Sequence, residues 1–340
     1  MSAGPPTSSA EHTPSMRGWL STAPGLAGIE IGRLSRPIAG PGTALVRVEA
    51  AALNFSDLLM IDDHYQVRPA RPFVPGQEIA GTVVSAAENS GLAVGDRVAS
   101  KVEWGGFAEY AVVRGDMAMR IPGEMSACHA AALPVVYTTA LVAMTESTTI
   151  TAGETVLVLA AAGGVGLATV EVAKQLGARV IAATGATEKC ALARAHGADE
   201  TVDYRDKDWT DRVKAMTGGR GVDVIVDPVG GEVTKQALRL LDWGGRLLVV
   251  GFSSGEISQI PANRLLLRRA SAIGVYWSHD RDGPMLARIA RRMLDLSAAG
   301  VIRPHIGATF AFEDLPTALV ALRGRMTTGK TILTIPQETT

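Results

Sequence analysis

The chain has 340 residues, 47% of them hydrophobic and 20% charged, which is long enough for two domains that each bury a core. Its 33 basic and 34 acidic residues leave a formal net charge of −1, so no global field recruits nucleic acid or an anionic membrane. Cys128 and Cys190 are too few for a disulfide framework or a thiolate zinc site. No apolar run approaches the ~20 residues of a membrane span and no leader pattern opens the chain, so the sequence predicts a soluble, cytoplasmic protein.

Residues 1–15 are rich in Ser, Pro, Thr and Gly, bury too little apolar surface to offset ordering entropy, and are expected to form a disordered tail. From Ala44 the alternation ALVRVEAAALN predicts a strand, and PFVPGQEIAGTVVSA and GDRVASKVEWGGFAEYAVV add short strands separated by Gly, Pro and Asp turns. After Ser126 the segment ACHAAALPVVYTTALVAMTE reads as helix. Strand and helix then alternate through TVLVLA, RVIAAT, ETVDY, VDVIVD, GRLLVVG and SAIGVYW, the pattern of a parallel sheet with helices on both faces. From about Gly283 the reading is a helix (PMLARIARRMLDLSAAG), a strand pair, a helix (DLPTALVALRG) and a closing strand (KTILTIP) that packs back on the β-rich half.

Within Thr155–Gly177 an apolar run turns through Gly163, Gly164 and Gly166 into an amphipathic pattern, which is a strand, a phosphate-sized turn and a helix start. Glycines let the backbone pass close to a pyrophosphate, and the helix N-terminus offers unpaired N–H groups and about half a positive charge. A tight turn without a ligand is the alternative for such a motif standing alone. The next strand, RVIAAT, ends in Thr184, Gly185, Ala186 and Thr187, with no acid to accept hydrogen bonds from an adenosine ribose. That small neutral corner leaves room for a 2′-phosphate, with Lys189 one turn into the following helix, and it predicts NADPH. Glu188 leaves an NAD option open, and an exposed helical lysine is the structural alternative for Lys189.

Taken together, LNFSDLLMIDDHY, FVPGQEIAGTV, AAAGGVG and GKTILTIP, in order between about Arg17 and Pro336, resemble the medium-chain dehydrogenase/reductase superfamily. Within it the likeness is to the zinc-independent, zeta-crystallin-like quinone oxidoreductase branch. The resemblance implies an α/β fold. A chaperonin-10-like β-rich catalytic domain (16–137 plus 280–340) is interrupted by a doubly wound parallel-sheet Rossmann domain (138–279), with the cofactor in the cleft between them. It also implies a homodimer or tetramer joined partly through SAIGVYW. Zinc enzymes of the superfamily have a Cys where this chain has Asn54 and a His where Gly76-Gln77-Glu78 has its Gln, and the four-cysteine lobe has no counterpart in Arg97–Tyr110. No metal is therefore expected.

By the same resemblance Gly185, Lys189 and Tyr204 bind the 2′-phosphate of NADPH, and Thr139 touches the cofactor near the domain junction. Gly163, Gly164 and Val165 cradle the pyrophosphate. Val229, Val250 and Gly251 approach the nicotinamide, while Asn263 and Arg325 contribute from the far wall of the cleft.

Hydride addition to the β-carbon of an enone or quinone sends negative charge onto the conjugated oxygen, so the site must donate a hydrogen bond there. Asn54 is a candidate donor, with turn capping as its structural alternative. Tyr65, with an ordinary pKa of about 10, stays protonated and is a second catalytic candidate or a pocket wall. Trp277, with Tyr276, shapes the substrate pocket or fills a subunit interface. Asp57 reads as a helix-start residue, and His64 as structural or exposed, or as a relay for the final proton. The predicted function is a zinc-free, NADPH-dependent reductase of a small-molecule quinone or enone, with neither nucleic acid nor membrane as partner. One alternative is an enoyl-thioester or acrylate reductase, for which Arg264, Arg268 and Arg269 would form a patch for a nucleotide phosphate. A non-catalytic structural or RNA-binding relative is the third reading, opposed by the balanced charge and intact glycine turn.

Overall fold

The structure is a computed structural model and describes residues 14–337. The predicted tail lies outside the described residues except at Pro14 and Ser15, and Ser15 already belongs to the first strand. The β-rich half opens with β1 (Ser15–Ser21) and β2 (Ile29–Ser35), an antiparallel pair not foreseen from the sequence. Trp19 explains its placement: the indole is buried, stacks edge-on against Phe312 at 6.3 Å and donates Nε1–H to the Phe312 carbonyl at 2.8 Å. There follow β3 (Thr43–Leu53), α1 (Phe55–Ile61), β4 (Glu78–Ala86), β5 (Arg97–Lys101), β6 (Tyr110–Arg114) and β7 (Ala118–Arg120).

The segment after Ser126 is not one helix. Pro134 lacks an N–H and its ring clashes with a preceding turn, so α2 (Ala127–Ala131) stops and α3 (Pro134–Leu141) starts on the proline before running into a π-helical turn, Val142–Glu146. The Rossmann half contains β8 (Thr155–Leu159), α4 (Gly164–Gln175), β9 (Arg179–Thr184), α5 (Thr187–Ala195), β10 (Glu200–Asp203) and α6 (Trp209–Met216). It continues with β11 (Val222–Asp227), α7 (Gly231–Ala237), β12 (Leu241–Val249), α8 (Ala262–Arg268) and β13 (Ser271–Gly274). The chain closes with α9 (His279–Ala298), β14 (Ile306–Ala311), α10 (Leu315–Arg323) and β15 (Lys330–Thr334). Helix α9 breaks from helical geometry at Asp282, so its long segment starts at about Gly283 as expected, and a single strand, β14, stands where a strand pair was expected. It pairs in parallel with β15.

Six parallel strands run in the order β10-β9-β8-β11-β12-β13. Every residue of β8 is buried, as expected for a central strand covered on both faces, and each such Val or Leu contributes about 1.5–3 kcal/mol relative to exposure. The strand order reverses between β8 and β11, which opens a crevice at their C-terminal ends where ligands of such sheets bind. In the other half, β14-β15-β3-β4-β5-β7 form a sheet to which β6 adds on β3. Helix α3 crosses the expected boundary at 137/138, and β15 returns to the crevice: Gly329 donates its N–H to the Ala162 carbonyl at 2.8 Å and bridges Gly163. The β-rich half thus meets the Rossmann half at the glycine turn.

Candidate active site

The glycine turn follows directly from β8. Gly163 N-caps α4 with extended backbone and no side-chain cap, so the first N–H groups of the helix stay open toward the crevice. A Cβ on Gly166 would lie 2.3 Å from the Ala160 carbonyl oxygen and 2.7 Å from the Ala161 Cα, so only glycine lets the helix leave so close to its strand. A Cβ on Gly164 would press on Val136 and on the Lys330 stem, each at 3.0 Å. Gly163, Gly164 and Val165 therefore sit together where the sequence placed a pyrophosphate.

The phosphate corner also assembles. A Cβ on Gly185, at the end of β9, would come within 2.7 Å of the Tyr204 hydroxyl. Lys189 reaches across to the C-terminal segment and donates to the carbonyls of Arg325 and Thr327 at 2.9 and 3.0 Å. Both acceptors are uncharged, so the ammonium keeps its positive charge for an anion, while burial and then neighbouring Arg205 push its pKa down. Arg325 donates to the Ser253 carbonyl at 3.0 Å, and Arg205, which the sequence reading missed, pairs with Asp203 at 2.7 Å. Glycine, phenol and uncompensated ammonium fit a ribose 2′-phosphate. Asn263 does not join them: it is exposed on α8 and makes no side-chain hydrogen bond to the others among the described residues.

Across the crevice one residue organises three. Asp227 ends β11 fully buried. Its Oδ1 accepts the N–H groups of Val229 (2.8 Å) and Gly230 (3.0 Å), and its backbone carbonyl accepts those of Val250 (2.9 Å) and Gly251 (3.3 Å). Its other carboxylate oxygen accepts the Thr234 hydroxyl. Burial pushes the Asp227 pKa up and these donors oppose the shift. Val229, Val250 and Gly251 are thereby fixed at the C-terminal ends of β11 and β12, facing the glycine turn across the switch point.

The floor of the cleft comes from α1, β4 and β15, and it corrects one expectation. Asn54 N-caps α1, with its N–H held by Asp57 Oδ2 at 2.7 Å. Its amide is committed inward: Nδ2 donates to Glu78 Oε2 (3.0 Å) and to the Ala52 carbonyl (3.3 Å), while Oδ1 accepts from Lys330 Nζ (2.7 Å). Asn54 has no free amide hydrogen for a substrate oxygen. Lys330, buried to 3% exposure, also donates to the Leu53 carbonyl (3.0 Å) and to Glu78 Oε2 (2.7 Å), and Glu78 Oε1 accepts the Val135 N–H at 2.7 Å. A fully satisfied buried ion pair thus stands beside the two positions that carry metal ligands in zinc relatives. Asp57 is enclosed and its pKa is pushed up to about 7 by burial, against the pull of the Asn54 N–H and the Lys330 ammonium.

Tyr65, on the loop after α1, is half-buried. Burial raises its pKa and the Gln77 amide beside it opposes the shift, so the phenol keeps its proton at neutral pH. Trp277 donates Nε1–H to Thr139 Oγ1 at 3.1 Å, and the Thr139 hydroxyl donates to the Val135 carbonyl at 2.7 Å, so these two predicted residues meet at the domain junction. The Lys101 ammonium lies 5.8 Å from the Trp277 ring, whereas Tyr276 is 78% exposed. His64 is exposed. Among the described residues no group of three or more His, Cys, Asp or Glu is placed to hold a metal. Sequence reasoning missed Asp227, Glu78, Gln77 and Lys330 as site builders. Gln77 and Glu78 stand in the motif FVPGQEIAGTV and Lys330 in GKTILTIP, whereas Asp227 had no such signal.

Two family models match the chain, "Alcohol dehydrogenase GroES-like domain" over residues 40–123 and "Zinc-binding dehydrogenase" over 164–292. The chain is 40% identical to quinone oxidoreductase-like protein 2 of Rattus norvegicus over 304 residues, covering 88% of this chain and 87% of the relative. It is 30% identical to human quinone oxidoreductase over 302 residues, covering 87% and 90%. Among solved structures, Escherichia coli quinone oxidoreductase complexed with NADPH superposes with a TM-score of 0.87 at 26% identity, covering 94% of this chain and 99% of that one. The quinone oxidoreductase of Thermus thermophilus gives 0.82 at 34% identity, covering 94% and 100%. A GroES-like β domain, a Rossmann domain inserted in it, and the glycine turn at their junction make this chain a member of the quinone oxidoreductase branch of the medium-chain dehydrogenase/reductase superfamily.

Proposed function

We propose that the chain is a zinc-independent reductase that uses NADPH to transfer hydride to a quinone or another α,β-unsaturated carbonyl compound. The observation that carries the reading is the phosphate corner, where Gly185, Tyr204 and a Lys189 ammonium bonded only to neutral carbonyls stand in place of a ribose-binding acid. NADPH bound there and along the glycine turn supplies the hydride. The chain's own part is to hold the dinucleotide phosphates with Lys189 and the α4 N-terminus, and to wall one face of the cleft with Val229, Val250 and Gly251. Trp277 and Thr139 bound the substrate side. At the positions of the family's metal ligands, Asn54 is locked by an ammonium and Gln77 offers an amide, a donor set suited to hydrogen bonding rather than Lewis-acid chemistry.

The same reading makes the protein a homodimer through β13 and α8. Strand β13 has one neighbour, β12, and an open edge, α8 buries none of its residues, and Leu266 and Leu267 are 78% and 70% exposed. An apolar pair among Arg264, Arg268 and Arg269 suits a subunit contact better than a nucleotide-phosphate patch. The function is tested by following oxidation of NADPH and of NADH with 1,4-benzoquinone, 9,10-phenanthrenequinone, an alkenal and crotonyl-CoA in the presence of a chelator. Chelator-resistant turnover that prefers NADPH is expected. Absence of turnover with all four acceptors, despite NADPH binding, would refute it.

A further inference from the structure

Two side-chain amides stand at the positions of the lost metal ligands, and their hydrogen bonding is opposite. Asn54 is turned inward, with its oxygen on Lys330 and its hydrogens on Glu78 and Ala52. Gln77 and Glu78 are successive residues entering β4, so their side chains leave on opposite sides of the chain. Glu78 joins the buried ion pair, and Gln77 meets Ser56 and Tyr65 instead. The Ser56 hydroxyl donates to Gln77 Oε1, which leaves Nε2 on the other side of the amide. Gln77, only 3% exposed, sets its amide beside the Tyr65 hydroxyl, and its Nε2 donates to no other group among the described residues. An amide nitrogen carries two hydrogens, so beside Tyr65 at least one is left for a ligand oxygen.

We propose that Gln77 is a catalytic residue: its Nε2–H, with the Tyr65 hydroxyl, forms the donor pair for the substrate oxygen that becomes negative as hydride arrives. The inference rests on the reductase reading. The hydride adds with its electron pair to the β-carbon, the π electrons move through the conjugated system to the carbonyl oxygen, and the two donors share the new charge. Gln77 gives up no proton; a proton taken from Tyr65 or from solvent completes the reduction, and Tyr65 regains its own from solvent. The Ser56 hydroxyl is a positioning group that acts through the amide. The pair selects substrates whose oxygen is conjugated with the hydride-accepting carbon, because only there does charge reach the donors.

The test uses the full chain and two variants, Gln77→Met, which keeps length and neutrality without an N–H, and Ser56→Ala, which frees the amide to rotate. Turnover of an α,β-unsaturated alkenal with NADPH is measured alongside binding of 4-nitrophenolate to the NADP⁺-loaded protein, read from its absorbance. For Gln77→Met, kcat is expected to fall about 100-fold and phenolate binding about tenfold, with NADPH affinity and Tm unchanged. Ser56→Ala should fall between this variant and the parent. Parent-like kcat or parent-like phenolate binding in Gln77→Met, or a parent chain that binds no phenolate, would overturn the proposal. If no form turns over but Gln77→Met still loses phenolate, the donor assignment holds and the hydride-transfer reading fails. Should Gln77→Met not fold, a parent-like Ser56→Ala in both measurements overturns the proposal and an intermediate one supports it.

Discussion

The Lys330 ammonium can be removed without removing volume by Lys330→Met. In the parent it makes three hydrogen bonds, to the Leu53 carbonyl, Asn54 Oδ1 and Glu78 Oε2, and the Lys330 and Glu78 side chains are 4% and 0% exposed. Its loss leaves a fully enclosed carboxylate with only the Asn54 amide and the Val135 N–H to balance it. Breaking a buried pair from one side costs about 3–5 kcal/mol because the remaining charge is uncompensated. Spread over an unfolding entropy of about 2.1 cal/mol/K per residue, that is a fall of about 4–7 °C in Tm for a chain of this length. The assay is urea unfolding followed by circular dichroism, with the m-value checked so that the midpoint shift reports stability. Adding Glu78→Gln to Lys330→Met removes the stranded charge and should recover more than half of the loss. A single variant that loses less than about 1 kcal/mol, the range of an exposed pair, would refute the claim that this ion pair is dry and stabilised from both sides.

Other outcomes follow from the same geometry. Lys189→Ala should weaken NADPH about 10- to 150-fold, the worth of a charge-assisted hydrogen bond, and leave NADH nearly unchanged. Fluorescence titrations that show equal losses for both dinucleotides would place Lys189 away from the 2′-phosphate. Asp57, with an unfolded pKa of about 3.9, is pushed up to about 7 in the fold. A raised carboxyl stabilises the fold fully below its unfolded pKa, and that contribution, about 4 kcal/mol at most, is lost as pH rises from about 4 through 7. Asp57→Asn should therefore match the parent near pH 4 and exceed its Tm at pH 8; parallel Tm–pH curves from scanning calorimetry would contradict this.

The Rossmann half was legible because its information is local. Alternating apolar strands and amphipathic helices name a parallel sheet, and closely spaced glycines name a tight strand-to-helix turn, so β8, the turn at Gly163 and Gly164, and α4 follow one another as the local pattern reads. Elements held by distant partners were not legible. The β1–β2 pair depends on Trp19 meeting Phe312, nearly the whole chain away, and the missing second strand near β14 depends on how the chain returns to β15. Asn54 shows the same limit within the site. Its residue type permits donation to a substrate, but Lys330 and Glu78, far apart in sequence, decide where its amide points.

By itself the sequence determined the fold class, the family and the dinucleotide turn, because backbone reach, periodicity and the small size of glycine act over a few residues at a time. Only the tertiary structure decided which polar groups of the cleft are already satisfied. Asp227 gathers Val229, Val250 and Gly251 onto one residue, Lys330 clamps Asn54, and Ser56 meets the Gln77 amide. Hydrogen-bond satisfaction is a property of partners in space, and which donors of a cleft are already committed is visible only when all their neighbours are in place.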